Sequence, residues 1–244
     1  MYKNKLQFCK VFLGILMGLS IVYSAQAQSQ NDLKAIIDNP LRTEQDRKLD
    51  SKRMPMQMLL FIQPKPGMKV LDIFSGPGNT AQLLALAVAP TGKVYAMNIK
   101  PNEALTERVS KQAQTNIYPI VSALDELTTE PNGSFDLITI VNSYHDMINV
   151  KPEIEVVNQR IYDLLKPNGI LIVRDHSAKD GAGKAVTKTL HRIDPASVLE
   201  DFQKLGFKKV AEGDFLKSPQ DTKEKHSSQT GDVVPEDFIF KFVK

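Results

Sequence analysis

Three short segments hold most of the side chains able to take or hold a proton: Tyr144-His145-Asp146, Asp175-His176 and His191-Arg192. An imidazole beside a carboxylate suits general-base work, because an unperturbed histidine titrates near neutral pH. His145, Asp146, Asp175, His176 and His191 are therefore the catalytic candidates, and Tyr144 and Arg192 are candidates for holding a substrate. Three of the four histidines fall in this set, while His226 lies in a late polar stretch. One histidine at a strand end is ordinary, since Tyr144 and His145 can simply satisfy backbone there; three near one another ask for a reason. Asp146, Asp175 and His176 also offer ligands to a divalent ion, which would lower the pKa of a bound hydroxyl. Their spacing matches no dedicated zinc motif.

A second constellation precedes these. Val70, Leu71 and Ile73 read as a buried strand that carries Asp72 and runs into Phe74-Ser75-Gly76-Pro77-Gly78, after which a helix opens at Asn79 or Thr80. A strand, a tight glycine loop and a helix N-terminus bring backbone close to a nucleotide-like ligand. A Cβ at Gly76 or Gly78 would obstruct either a positive φ or the ligand. Two glycines alone also fit an ordinary turn.

The elements that must position both constellations alternate. Strands are predicted at 69–73, 93–99, 117–121, 135–141 and 170–173, with helices at about 79–89, 101–114 and 152–165 between them. Pro101 suits the first turn of its helix, and Asp194-Pro195 reads as an N-cap with proline at the first helical position. The rhythm breaks at a polar loop, 176–192. Two final strands, 206–215 and 237–242, have no helix between them and predict an antiparallel hairpin at the sheet edge. The fold class is thus α/β: a doubly wound, seven-stranded, mostly parallel sheet. Residues 28–62 read as a linker and helical cap, loose to Pro40, with a charged stretch at 42–53 that either covers a cleft or is a solvated face. The domain proper is 63–244.

The N-terminus has Lys3, Lys5 and Lys10, an apolar run from Val11 to Tyr23, and Ala25-Gln26-Ala27. This is the pattern of a cleaved signal peptide over residues 1–27, and it predicts export to a periplasm or the medium. The whole chain has 31 Lys and Arg against 28 Asp and Glu; without the three leader lysines the balance is even. Nothing in that charge suggests nucleic acid as a partner, and no membrane span is expected in the mature chain. Cys9 is the only cysteine, so no disulfide is expected there.

Taken together, these residues resemble class I S-adenosylmethionine-dependent methyltransferases, and more narrowly an exported family of predicted methyltransferases. The resemblance runs from Arg42 to Phe242. It rests on Asp50-x-x-Arg53-x-Pro55, Pro66-Gly67-Met68-Lys69-Val70-x-Asp72-x-Phe74-x-Gly76-x-Gly78, Tyr144-His145-Asp146, Leu165-Lys166-Pro167-x-Gly169, Asp175-His176-Ser177 and Leu190-His191-Arg192-Ile193-Asp194. It implies S-adenosylmethionine as cofactor and a small-molecule methyl acceptor. On this resemblance Asp72 would orient the methionine amino group, Phe74, Gly76, Gly78 and Thr80 would form the loop, Asn98 would hold the ribose and Asp125 the adenine. Phe74 and Asn98 depart from the wider superfamily, which has glycine and an acid there. A non-catalytic ligand-binding protein on the same fold is the alternative.

Overall fold

The sheet is built from strands whose alternate residues enter two different cores. Val70, Leu137, Ile172 and Ile239 bury on one face, and Leu71, Ile138, Leu171 and Phe240 on the other. A strand buried on both faces needs apolar residues at every position, which explains the continuous apolar runs.

The computed structural model describes residues 30–111 and 116–244; the expected signal peptide at 1–27 lies outside them. In chain order the elements are α1 (Gln30–Ile37), α2 (Glu44–Lys48), α3 (Asp50–Arg53), α4 (Pro55–Ile62), β1 (Lys69–Ile73), α5 (Asn79–Val88), β2 (Lys93–Asn98) and α6 (Glu103–Lys111). There follow β3 (Ile117–Val121), β4 (Phe135–Val141), α7 (Tyr144–Met147), α8 (Ile154–Leu164), β5 (Leu165–His176), α9 (Thr187–Leu190), α10 (Pro195–Lys204), β6 (Lys208–Gly213) and β7 (Asp237–Val243). The seven strands lie in the order β3-β2-β1-β4-β5-β7-β6. The first five are parallel, and β7 runs antiparallel between β5 and β6. The expected fold is the observed one. Among the described residues, no helix is long and apolar enough to cross a membrane.

One expectation about the N-terminal segment changes and one open alternative is decided. The loose linker contains α1, because Leu33 and Ile36 find apolar partners in Leu59 and Ala87. The charged stretch 42–53 covers a cleft and is not simply a solvated face: α2 and α3 lie over the glycine loop, with Arg42 5% and Asp46 3% exposed. Asp46 is held by Arg108 of α6 through two bonds, Nη1 to Oδ2 at 2.7 Å and Nη2 to Oδ1 at 3.0 Å. Asn79 donates to the same carboxylate, Arg108 also donates to Gln82, and its Nε reaches the Pro77 carbonyl at 2.7 Å. Burial works against the Asp46 charge, yet the Arg108 bonds and charge outweigh it and leave its pKa below the ordinary value. On the far side, Arg174 of β5 donates to the Arg53 carbonyl at 2.8 Å and the Lys52 carbonyl at 3.3 Å.

Removing one partner of a buried ion pair strands the other charge, which costs about 3–5 kcal/mol. Asp46→Ala is therefore expected to lower unfolding free energy by about that amount. Arg108→Leu should cost less on that background than alone. Urea denaturation of the two single variants and the double variant measures this; simple additivity would show that the pair is not coupled.

Candidate active site

The cap and the glycine loop enclose a cavity of about 210 Å³. Ser75, Gly76 and Thr80 line its loop side, and Met58 and Leu83 are among its apolar walls. The loop is shaped from beneath. Asp72 accepts from Thr139 Oγ1 at 2.6 Å and from Ser75 Oγ at 2.7 Å. Burial is the largest influence on this carboxyl and pushes its pKa up to about 6, against the pull of those bonds and of the Ala81 N–H. Asp72 thus braces the loop from beneath. Asn98 does similar work from β2: Gly76 N donates to its Oδ1 at 2.9 Å, and its Nδ2 donates to the Gly76 carbonyl at 3.2 Å.

The departures from the superfamily thereby acquire a local reason. Phe74 takes φ +54°, the left-handed conformation that glycine adopts more cheaply, and still lines the cavity. Gly76, at φ +55°, has open space where a Cβ would stand. Gly78 is different: at φ +82° an added Cβ would meet Leu105 Cδ1 at 2.6 Å, so this glycine serves packing against α6. Asp125 is exposed in the turn after β3 and is not among the cavity-lining residues.

The sequence reading gave Arg53 a place in the motif Asp50-x-x-Arg53-x-Pro55 but no role at the site. It projects from α3 into the cavity, half-buried, and its guanidinium hydrogen-bonds to no described residue. Burial opposes its charge and lowers its pKa, while Asp46 pulls the other way. An unpartnered cation facing a glycine loop fits a ligand carboxylate.

The histidines form a row. Ring centroids of His176 and His145 lie 5.9 Å apart, those of His145 and His191 5.1 Å, and those of His191 and His226 4.3 Å. His226, expected elsewhere, joins the other three. His145 and His176 each have a carboxylate. Asp175 accepts from His145 N at 2.8 Å and meets its Nδ1 at 2.7 Å, and Asp237 meets His176 Nδ1 at 2.6 Å. Burial disfavours the His145 cation, but the Asp175 bond and charge prevail and raise its pKa. Asp175 is fully buried and acts through His145, so it is a positioning residue. His145 Nε2 is buried with no hydrogen-bond partner, 3.4 Å from Asp146 Oδ1.

Three assignments need correction. Arg192, expected at the substrate, is fully buried and donates to Asp221 (Nη1 to Oδ2 at 2.8 Å, Nη2 to Oδ1 at 3.0 Å) and to the Ser177 and Lys225 carbonyls. Tyr144 is core: its hydroxyl donates to Asp201 at 2.8 Å and accepts from Asn158 at 2.7 Å, and burial raises its pKa well above the ordinary value. The ion site of Asp146, Asp175 and His176 does not assemble, because Asp175 is spent on His145 and His176 faces Asp237.

Residues 64–229 match the family model described as a methyltransferase domain. The chain belongs to that family. It is accordingly an S-adenosylmethionine-dependent methyltransferase, and S-adenosylmethionine is its cofactor. A protein-L-isoaspartate O-methyltransferase of Pyrobaculum islandicum is 24% identical over 66% of this chain and 72% of its own length. A ubiquinone/menaquinone biosynthesis C-methyltransferase of Cupriavidus metallidurans is 29% identical over 46% of this chain and 45% of its own. Among solved structures, a SAM-dependent methyltransferase from Aquifex aeolicus covers 88% of this methyltransferase and 98% of its own chain at TM-score 0.60 and 18% identity. Fibrillarin of Aeropyrum pernix, solved with S-adenosylmethionine, covers 73% and 67% at TM-score 0.50 and 12% identity. These two likenesses speak for the fold.

Two outcomes are expected. Arg53→Met should weaken S-adenosylhomocysteine roughly tenfold to a hundredfold, the loss of a charge-assisted bond. It should leave methylthioadenosine, which lacks the carboxylate, unchanged; calorimetry with both ligands separates this from general damage. Asp72 binds its proton more tightly folded than unfolded, so its contribution is complete below about pH 4 and is lost as pH rises through about 6. Wild-type stability relative to Asp72→Asn should then fall by about 3 kcal/mol between about pH 4 and 7. A flat difference in urea unfolding across that range would exclude the raised pKa.

Proposed function

We propose that the chain methylates a heteroatom of a small-molecule acceptor bound between the cofactor cavity and the histidine row. One observation carries this reading. A second crevice, which includes Leu49, His176 and Thr230 in its lining, shares Arg53, Asn142 and Arg174 with the first cavity. The shared wall is polar and incompletely satisfied: Asn142 Nδ2 lies 3.3 Å from His176 Nε2, while its Oδ1 is buried without a partner. A molecule in the second crevice would therefore sit beside whatever the first one holds, and both would touch the same three side chains.

S-adenosylmethionine supplies a methyl group already activated by its sulfonium, so the protein's work is alignment and proton removal. In this reading Arg53 takes the cofactor's carboxylate and the backbone of 74–77 gives it close access. Asn142 and Arg174 border both ligands. His176, fixed by Asp237, lies against the acceptor, and the Asp175-oriented His145 stands next in the row to activate the attacking atom. Crevices of this size suit a metabolite better than a folded protein.

Incubating the protein with methyl-labelled cofactor and a cell extract separated by size tests this. Label is expected in a small molecule other than the cofactor, and that product should disappear with Thr80→Trp, which fills the cavity from the first turn of α5. Label confined to the protein fraction would overturn the small-molecule reading.

A further inference from the structure

We infer that His145, Asp146 and His191 form a binding site for a borderline divalent transition-metal ion such as Zn²⁺. One ligand atom from each lies within 4.8 Å of the other two. Asp146 Oδ1 is 3.4 Å from His145 Nε2 and 3.7 Å from His191 Nδ1. Around an ion with bonds of about 2.0–2.1 Å, tetrahedral ligand atoms stand roughly 3.3 Å apart. Two edges of the triangle thus come close to the required length without movement, and a rotation of one exposed imidazole closes the third.

Geometry alone would not single out a cluster of this kind. The decisive observation is His145 Nε2, which belongs to a side chain 2% exposed and has no hydrogen-bond partner. A buried polar atom left unpaired costs about 1–3 kcal/mol. The opposite ring nitrogen is fixed on Asp175 at 2.7 Å. When that nitrogen carries the proton, Nε2 presents its lone pair to Asp146 and His191. A carboxylate behind an imidazole, holding its tautomer and raising its basicity, is what a metal-ligating histidine requires.

The elements explain why these atoms meet. His145 and Asp146 are consecutive on the short helix α7 after β4, and His191 follows α9, held at φ +48°. His226 packs on His191 at 4.3 Å, and its Nδ1 accepts from Ser228 N at 3.2 Å. It therefore backs the His191 ring. Two nitrogens and one oxygen favour zinc-like ions over magnesium or calcium, which want oxygen ligands. Three protein ligands leave a coordination position free, as in catalytic zinc sites. An acceptor oxygen or sulfur placed there would be held as its anion.

An ion on His145 Nε2 would take over from that ring the activation of the acceptor atom given to it above; the test itself needs neither cofactor nor acceptor. Tag-free protein, stripped with chelator and dialysed, is titrated with Zn²⁺ by calorimetry and with Co²⁺ by visible absorption. One saturable equivalent and cobalt ligand-field bands of low coordination number are expected. Asp146→Asn and His191→Ala, both at partly exposed positions, should each weaken binding at least tenfold, and Asp175→Asn by about 10–100-fold. His176→Ala, whose ring nitrogens already face Asp237 and Asn142, should bind as wild type does. Circular dichroism confirms that each variant is folded. Absence of a saturable equivalent in the wild type, or undiminished affinity in Asp146→Asn and His191→Ala, would overturn the inference.

Discussion

The buried pair of Asp46 and Arg108 is the constraint on which the cofactor side depends. It joins four elements that share no backbone hydrogen-bond ladder: the cap, the glycine loop, α5 and α6. Withdrawing both charges from water is expensive, and an apolar pair of similar volume would often be as stable. An apolar pair would lack direction, however. Arg108 simultaneously fixes a carbonyl of the loop and the carboxylate of the cap, so the loop's height and the cap's closure are set by one guanidinium plane. The cavity exists because the two surfaces are held together at this edge and, through Arg174, at the other.

The histidine side follows a different logic, that of the sheet. Asp175 and His176 are neighbours on β5 and so point to opposite faces. Asp175 turns towards α7 and orients His145, while His176 stands directly across from Asp237 on the antiparallel β7. The terminal hairpin is therefore more than an edge: it delivers the carboxylate that fixes His176. Arg174 shares that carboxylate, its Nε at 2.8 Å from Asp237 Oδ2. Burial would raise the Asp237 pKa, but His176 and Arg174 together hold it below the ordinary value. One acid thus serves both the histidine row and the cap's second tether.

Legibility in the sequence tracks how local each signal is. Strand alternation in β1 to β5, the N-cap at Asp194 and the closing hairpin were readable because each is written in adjacent residues. The roles of Arg192 and Tyr144 were not, because what decides them lies far along the chain: Asp221 for the first, Asp201 for the second. A charged residue beside a histidine reads as a site until its partner is seen. The same blindness hid the role of Arg53, which a motif named but whose significance is the lack of a partner, and of His226, which reaches the row only through a long polar loop. Helix α1 was missed because a polar sequence with Leu33 and Ile36 becomes a helix only against Leu59 and Ala87.

Phe74 and Asn98 show how two departures can be a single adjustment. A non-glycine residue in the left-handed region costs about 1–2 kcal/mol, and a loop bearing that strain would relax unless something opposed it. Asn98 opposes it with a donor and an acceptor on one amide, gripping both the N–H and the carbonyl of Gly76 two residues on. An aspartate there would accept from the N–H but would set its second oxygen against the carbonyl. In this chain the left-handed turn at Phe74 and the Asn98 amide are thus joined through Gly76. Both polar atoms of the Asn98 amide are thereby committed to Gly76, and the loop is held rigid from β2.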